Sequence, residues 1–84
     1  MKQLLIFSAE WCAGCKMLKR VLADTNLPVD RIRAVDVDLS PSATKEFSIG
    51  SLPTLILFED GVETKRAIGN MTKKQLLDFC NASE

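Results

Sequence analysis

The amino-acid sequence predicts an α/β fold in the order β-α-β-α-β-β-α, with a mixed four-stranded sheet carrying helices on both faces. Three observations carry this prediction. Two nearly unbroken apolar runs, Leu4–Phe7 and Thr54–Phe58, suit strands covered on both sides. Strand-like and helix-like periods alternate through the first half, as in a right-handed βαβ crossover with parallel strands. Asp60-Gly61 then marks a hairpin, because a type I′ turn needs positive φ at both central residues.

Each element has its own local reason. Gln3–Phe7 forms a buried central strand, and Ser8–Trp11 a loop. A helix starts around Cys12 and runs to about Asp24. Its apolar positions Cys15, Leu18 and Leu22, with Met17 and Val21 alongside, recur at three- and four-residue spacing. Thr25-Asn26-Leu27-Pro28 ends it. Ile32–Val37 alternates, with Val35 and Val37 on one face and Ala34 and Asp36 on the other. Ser40-Pro41 is an N-cap and first-turn pair for a short helix whose buried positions would be Ala43 and Phe47. Ile49–Pro53 is a turn before the third strand, Thr54–Phe58. Val62–Ile68 returns from the hairpin and is polar enough for an edge, and Gly69 breaks it. Thr72 and Gln75 form a capping box, and Leu76, Leu77, Phe79 and Cys80 give the last helix its apolar face.

Bulk properties narrow the function classes. With 84 residues and no internal repeat or linker, residues 1–84 read as a single domain. Lys+Arg and Asp+Glu balance at 11 each, so no basic excess calls for nucleic acid. Tyr is absent and aromatics are few, which disfavours a base-stacking platform. No apolar run is long enough to span a bilayer, and the N-terminus enters strand-like sequence without a secretory pattern. A cytoplasmic, membrane-free location is therefore expected. Three cysteines, Cys12, Cys15 and Cys80, do not suit a disulfide-stapled secreted scaffold. In a reducing compartment, a close pair plus a stray points to catalysis.

The pair lies in Trp11-Cys12-Ala13-Gly14-Cys15-Lys16. Two sulfurs three positions apart at a helix start can close a small disulfide ring that another thiol can reopen. The attacking group must be a thiolate, and a helix N-terminus lowers a thiol pKa from its free value of about 8.5. Cys12 holds that position and is the expected nucleophile. Cys15, one turn further in, is the expected resolving thiol. Lys16 reads equally as a thiolate-tuning cation or as a solvated surface charge. Trp11 reads as a flat contact surface covering one side of the pair, or as a packing aromatic. The competing use of paired cysteines, zinc binding, needs four ligands, and the chain has no His and only one further Cys. No metal site is expected, and Cys80 reads as a small buried hydrophobe.

These residues resemble the thioredoxin family, and the resemblance runs nearly end to end. Ala9-Glu10-Trp11-Cys12 and Cys15-Lys16 match its active-site segment, and Val37-Asp38 with Pro41 matches its next strand and turn. Ile49 and Pro53-Thr54-Leu55 match the segment bearing its cis-proline, and Phe58, Gly61 and Gly69 match further signature positions. The resemblance implies a thioredoxin-like fold. It places Ser51-Leu52-Pro53-Thr54 beside the cysteines, with a cis peptide before Pro53 that exposes backbone groups to an extended substrate. Trp11, Leu52, Pro53 and Gly69 are then the expected substrate-facing residues.

The chain departs from the family pattern in three ways. It begins directly at the central strand, so the family's usual N-terminal strand and helix are not expected, which would bring it close to glutaredoxin size. The family's buried Asp, six residues before the first cysteine, is Ile6, and the Lys that accompanies it is Ala34. Joint loss is coherent, since either charge buried alone would be costly. Water is then the expected acceptor of the Cys15 proton. Finally, the usual Gly-Pro between the cysteines is Ala13-Gly14, which loosens the turn and is expected to shift the redox potential.

The expected function is thiol–disulfide exchange that reduces protein disulfides. The resemblance implies recharging by thioredoxin reductase, ribonucleotide reductase as one client, a monomer, and no cofactor beyond the Cys12–Cys15 couple. Two alternatives stay open. One is a glutaredoxin-like electron donor using glutathione, which the lack of a Tyr between the cysteines and of a Gly-Gly-x-Asp motif near Gly69 disfavours. The other is a thioredoxin-like interaction module.

Overall fold

A computed structural model describes residues 1–81. Strand β1 (Lys2–Ser8) lies inside a sheet of order β2-β1-β3-β4, where β2 is Arg31–Asp36, β3 Thr54–Glu59 and β4 Val62–Ile68. Helices α1 (Ala13–Ala23), α2 (Pro41–Glu46) and α3 (Lys73–Asn81) complete the expected order. β1 runs parallel to β2 and antiparallel to β3, which is antiparallel to β4. The two apolar runs are thus the two central strands. Asp60 (φ 54°) and Gly61 (φ 84°) make the hairpin turn with the positive φ pair that their sequence predicts.

Alternation along β1 divides the core between the two faces of the sheet. Leu4 and Ile6, paired in register with Leu57 and Leu55, point toward α1 and α3. There they pack with Leu18, Leu27, Leu76 and Cys80. Phe7 points to the opposite face, where Phe47 at the end of α2 stacks between Phe7 and Phe58 at centroid distances of 5.6 and 5.9 Å. These spacings suit tilted and edge-to-face aromatic contact.

Three local expectations are corrected by packing. Met17 is 59% exposed, because α1 is one-sided and its buried stripe is Cys15 and Leu18. Ala43 and Phe47 are only half-buried, since α2 covers the rim of the sheet rather than its centre. Ser40 precedes α2 but makes no side-chain cap; Pro41 opens the helix unaided.

The capping box of α3 forms as expected. Thr72 N–H donates to Gln75 Oε1 at 2.9 Å, and Gln75 N–H donates to Thr72 Oγ1 at 3.2 Å. At the other end, Lys2 Nζ donates to the Cys80 carbonyl at 2.7 Å and Lys65 Nζ to that of Phe79 at 3.3 Å. Two strands thereby satisfy last-turn carbonyls that a helix leaves open.

Cys80 is fully buried, and burial pushes its thiol above the ordinary value of 9.0, against the pull of Lys2 and Lys65. The sign follows from linkage. Below the ordinary thiol value both states are protonated and this contribution to stability is complete. Above it the unfolded thiol ionises first, so stability falls until the folded value is passed. Denaturation midpoints taken at about pH 8 and about pH 10 will therefore drop more for wild type than for Cys80→Ala. Equal drops would show that Cys80 contributes nothing to the alkaline loss.

Candidate active site

The site is built where β1 ends. Ser8 and Ala9 are buried, and the chain turns there so that Cys12 N–H donates to the Ala9 carbonyl at 3.2 Å. Cys12 takes an extended backbone (φ −91°, ψ 108°) and is the N-cap of α1. Its sulfur accepts the Cys15 backbone N–H at 3.2 Å. A cap side chain normally takes one of the orphan donors of a first helical turn, and here that acceptor is a cysteine sulfur.

Cys15 lies one turn on and is 1% exposed, whereas Cys12 is partly open to solvent. Burial pushes the Cys15 thiol up, and its hydrogen bond with the Cys12 sulfur pushes the same way. The Ala9 backbone and the charge of Lys19 pull against both. No carboxylate is among these influences, in keeping with Ile6 at the position where a buried acid was in question. Ile6 is 3% exposed within the apolar core, and its register partner across β2 is Ala34. The two substituted positions are register neighbours, but only Ile6 is buried: Ala34 lies on the edge strand β2 and is exposed, so the expectation of a buried pair is corrected at that position.

A second segment faces the cysteines. The Leu52–Pro53 peptide is cis. Thr54 Oγ1 donates to the Ser51 carbonyl at 2.5 Å, and Gly69 N–H donates to the Pro53 carbonyl at 2.9 Å. Gly69 makes that bond with φ 102°, a conformation that side chains disfavour. The Pro53 ring borders the turn between the cysteines: a Cβ at Gly14 would lie 3.7 Å from Pro53 Cδ. Beside Cys12 a groove of about 480 Å³ opens, walled by Trp11, Val37, Ile49, Ser51 and Leu52.

Other expected site residues fall less centrally. Trp11 is 69% exposed and lines the groove, and its indole N–H donates to Asp38 Oδ2 at 2.8 Å. Lys16 is exposed and makes no hydrogen bond or ion pair among the described residues. The lysine whose charge bears on the buried thiol is Lys19. Asp38 and Lys19 were not singled out as site residues from sequence. An exposed indole in need of an acceptor was the one signal that could have pointed to Asp38. Among the described residues, no three or more His, Cys, Asp or Glu side chains gather where they could hold a metal ion.

Two thiols in this relation, one accessible at a helix start and one buried behind it, make the chain a thiol–disulfide oxidoreductase on an α/β scaffold. A family model described as Thioredoxin matches residues 1–82. Similar proteins include the thioredoxin of Chlamydia trachomatis, 46% identical over 76 residues, covering 88% of this chain and 74% of that one. The thioredoxin of Mycolicibacterium smegmatis is 41% identical over 80 residues, covering 88% and 70%. A solved thioredoxin mutant from Halobacterium salinarum superimposes with a TM-score of 0.84 at 29% identity, covering 98% of this chain and 74% of that one. The chain belongs to the thioredoxin family, and its activity is protein-disulfide reduction.

Proposed function

We propose that Cys12 is the nucleophile and Cys15 the resolving thiol. The observation that carries this reading is the contrast in exposure, joined to the Cys15 N–H that points at the Cys12 sulfur. The Cys12 thiolate attacks one sulfur of a protein disulfide. A Cys12–substrate S–S bond forms, the substrate disulfide breaks, and the displaced sulfur leaves as a thiolate. Cys15 then gives up its proton and attacks the Cys12 sulfur. The Cys12–Cys15 disulfide forms and the second substrate sulfur leaves, so two electrons pass to the substrate and two protons convert its sulfurs to thiols. Water takes the Cys15 proton, a role supported by the lack of any carboxylate acting on that thiol.

In this reading Trp11, Leu52, Pro53 and Gly69 form the substrate-facing surface. Leu52 has no backbone hydrogen-bond partner among the described residues, so its peptide groups are open to an extended client segment. The oxidised couple is recharged by thioredoxin reductase, and ribonucleotide reductase is one client class. The protein works as a cytoplasmic monomer without a bound cofactor. Among the described residues no helix is long and apolar enough to cross a membrane. Residues 1–84 form one domain, a reading supported by a core that draws on β1, α1, β3 and α3. Its last three positions lie outside the described residues.

The test is a resolving-thiol trap. Cys15→Ser will accumulate a stable mixed disulfide through Cys12 when mixed with intact, disulfide-bonded insulin or cell extract, and peptide mass spectrometry will locate the link. A link through Cys15 in the converse Cys12→Ser variant, with none through Cys12, would reverse the roles. Capture of glutathione alone would favour the glutaredoxin-like alternative.

A further inference from the structure

Strand β4 secures both ends of the segment that walls the groove beside Cys12. At one end Gly69, directly after β4, donates its N–H to the Pro53 carbonyl at 2.9 Å. At the other, Arg66 Nη1 donates to the Phe47 carbonyl at 2.6 Å. Between these two points run Ile49, Gly50, Ser51 and Leu52, which line the groove.

Phe47 closes α2, and the chain reverses there. Ser48 N–H donates to the Lys45 carbonyl at 3.1 Å and Ile49 N–H to that of Thr44 at 3.0 Å, the paired bonds of a Schellman end. Such an end puts the residue after the cap in the left-handed region, where glycine is usual; here it is Ser48, with φ 55°. A disfavoured conformation of this kind persists only where neighbouring contacts hold it. The Phe47 ring is held between Phe7 and Phe58, and its carbonyl, which those two bonds leave unused, is held by Arg66.

Arg66 is itself oriented. Its Nε and Nη2 donate to Glu63 Oε2 and Oε1, each at 2.9 Å, a two-pronged contact that fixes the guanidinium plane and leaves Nη1 for Phe47. Residues three apart on a regular strand point to opposite faces. Here the register shifts between Leu57, opposite Lys65, and Phe58, opposite Glu63, so Thr64 is an extra residue. That bulge brings Glu63 and Arg66 to one face of the sheet, across from Phe58 and Ile56.

From this arrangement we infer that Arg66 is a positioning residue for disulfide exchange. Oriented by Glu63 across the bulge, it fixes the Phe47 carbonyl and so sets the place of the Ile49–Leu52 wall, against which a client segment lies. The inference rests on the proposed reading of Trp11 and Leu52, which line that groove, as substrate-facing. Arg66 acts on client binding and leaves the chemistry of the Cys12 sulfur unchanged.

The experiment follows insulin reduction with dithiothreitol as the recharging thiol. Arg66→Met keeps the aliphatic stem and removes the donors. It will raise KM about threefold, the size expected of one exposed hydrogen bond, and leave kcat unchanged. Alkylation of Cys12 by iodoacetamide will keep its wild-type rate. Lys65→Met is the matched control: it removes a bond from the neighbouring β4 residue to another helix-end carbonyl, that of Phe79 in α3. It will keep the wild-type KM. Glu63→Ala will raise KM, and the double variant will match Arg66→Met, because Glu63 acts through Arg66. An unchanged KM in Arg66→Met, an equal rise in Lys65→Met, a further rise in the double variant or slower alkylation would overturn the inference. Failure of the underlying reading is visible separately. A Leu52→Glu variant with wild-type KM would remove the groove from client binding, whereas a raised KM there and none in Arg66→Met would remove Arg66 alone.

Discussion

Cys12→Ser will abolish disulfide reduction while leaving the fold intact. Two properties of the residue separate here. As N-cap, Cys12 supplies a side-chain acceptor for the Cys15 N–H, and serine is among the best residues for that task. Helix α1 should therefore lose no more than about 1 kcal/mol, and the variant should unfold close to wild type. As nucleophile, however, a hydroxyl cannot replace a thiolate, because it does not ionise in the working range and no general base among the described residues hydrogen-bonds to position 12. Insulin reduction should fall by at least about a hundredfold, with the loss in kcat. The pairing of near-normal stability with lost turnover is the diagnostic result. Retained turnover would remove Cys12 from the reaction. Cellular functions that survived the substitution would belong to a non-catalytic interaction role.

Ile6→Asp will be strongly destabilising. Ile6 packs at 3% exposure among Leu4, Leu18, Leu55 and Leu76, with Ala34 opposite on β2. A carboxylate there has no cation beside it and no donor to satisfy it. Leaving one charge buried and unpaired costs about 3–5 kcal/mol, a large part of the roughly 5–15 kcal/mol that holds a small domain together. Urea denaturation will show the loss at neutral pH. It will shrink on acidification: burial raises the folded pKa of such an acid, so the penalty is small below the unfolded carboxyl value and grows as pH rises above it. Adding Ala34→Lys, which faces position 6 in register, should recover part of the stability. A variant as stable as wild type would mean that water reaches this part of the core. Ile6 thus contributes plain apolar packing, while Ala34, its register partner on the edge strand β2, is exposed.

How far these features were readable in the chain depends on the range of the force involved. Element order, the hairpin at Asp60-Gly61, the capping box at Thr72 and Gln75, and the cysteine pair at a helix start all follow from residues within a few positions of each other. Periodicity, φ preferences and local hydrogen bonds act over that range, so the order and types of the elements were legible. Met17 and Phe47 were misjudged because helical spacing says which residues share a face, and not how far the neighbouring layer extends over it. Lys16 adjoins the pair in sequence and stands exposed, whereas the charge that acts on the buried Cys15 thiol from further along the helix is that of Lys19. Asp38 as partner of Trp11 and Arg66 against the Phe47 carbonyl span 27 and 19 positions, and no local pattern announces such contacts.

The sequence by itself determined which atoms could react: a thiol at a helix N-terminus, a second thiol one turn behind it, and two apolar strands to carry them. Only the tertiary structure decided what stands around those atoms. It set the Pro53 loop and Gly69 beside the cysteine turn, matched Ile6 to Ala34, and tied Arg66 to the Phe47 carbonyl. The reason is physical: a side chain's own chemistry and its helical or strand period are local properties, whereas its neighbours across a sheet are fixed by strand register and layer packing, which depend on the whole chain at once.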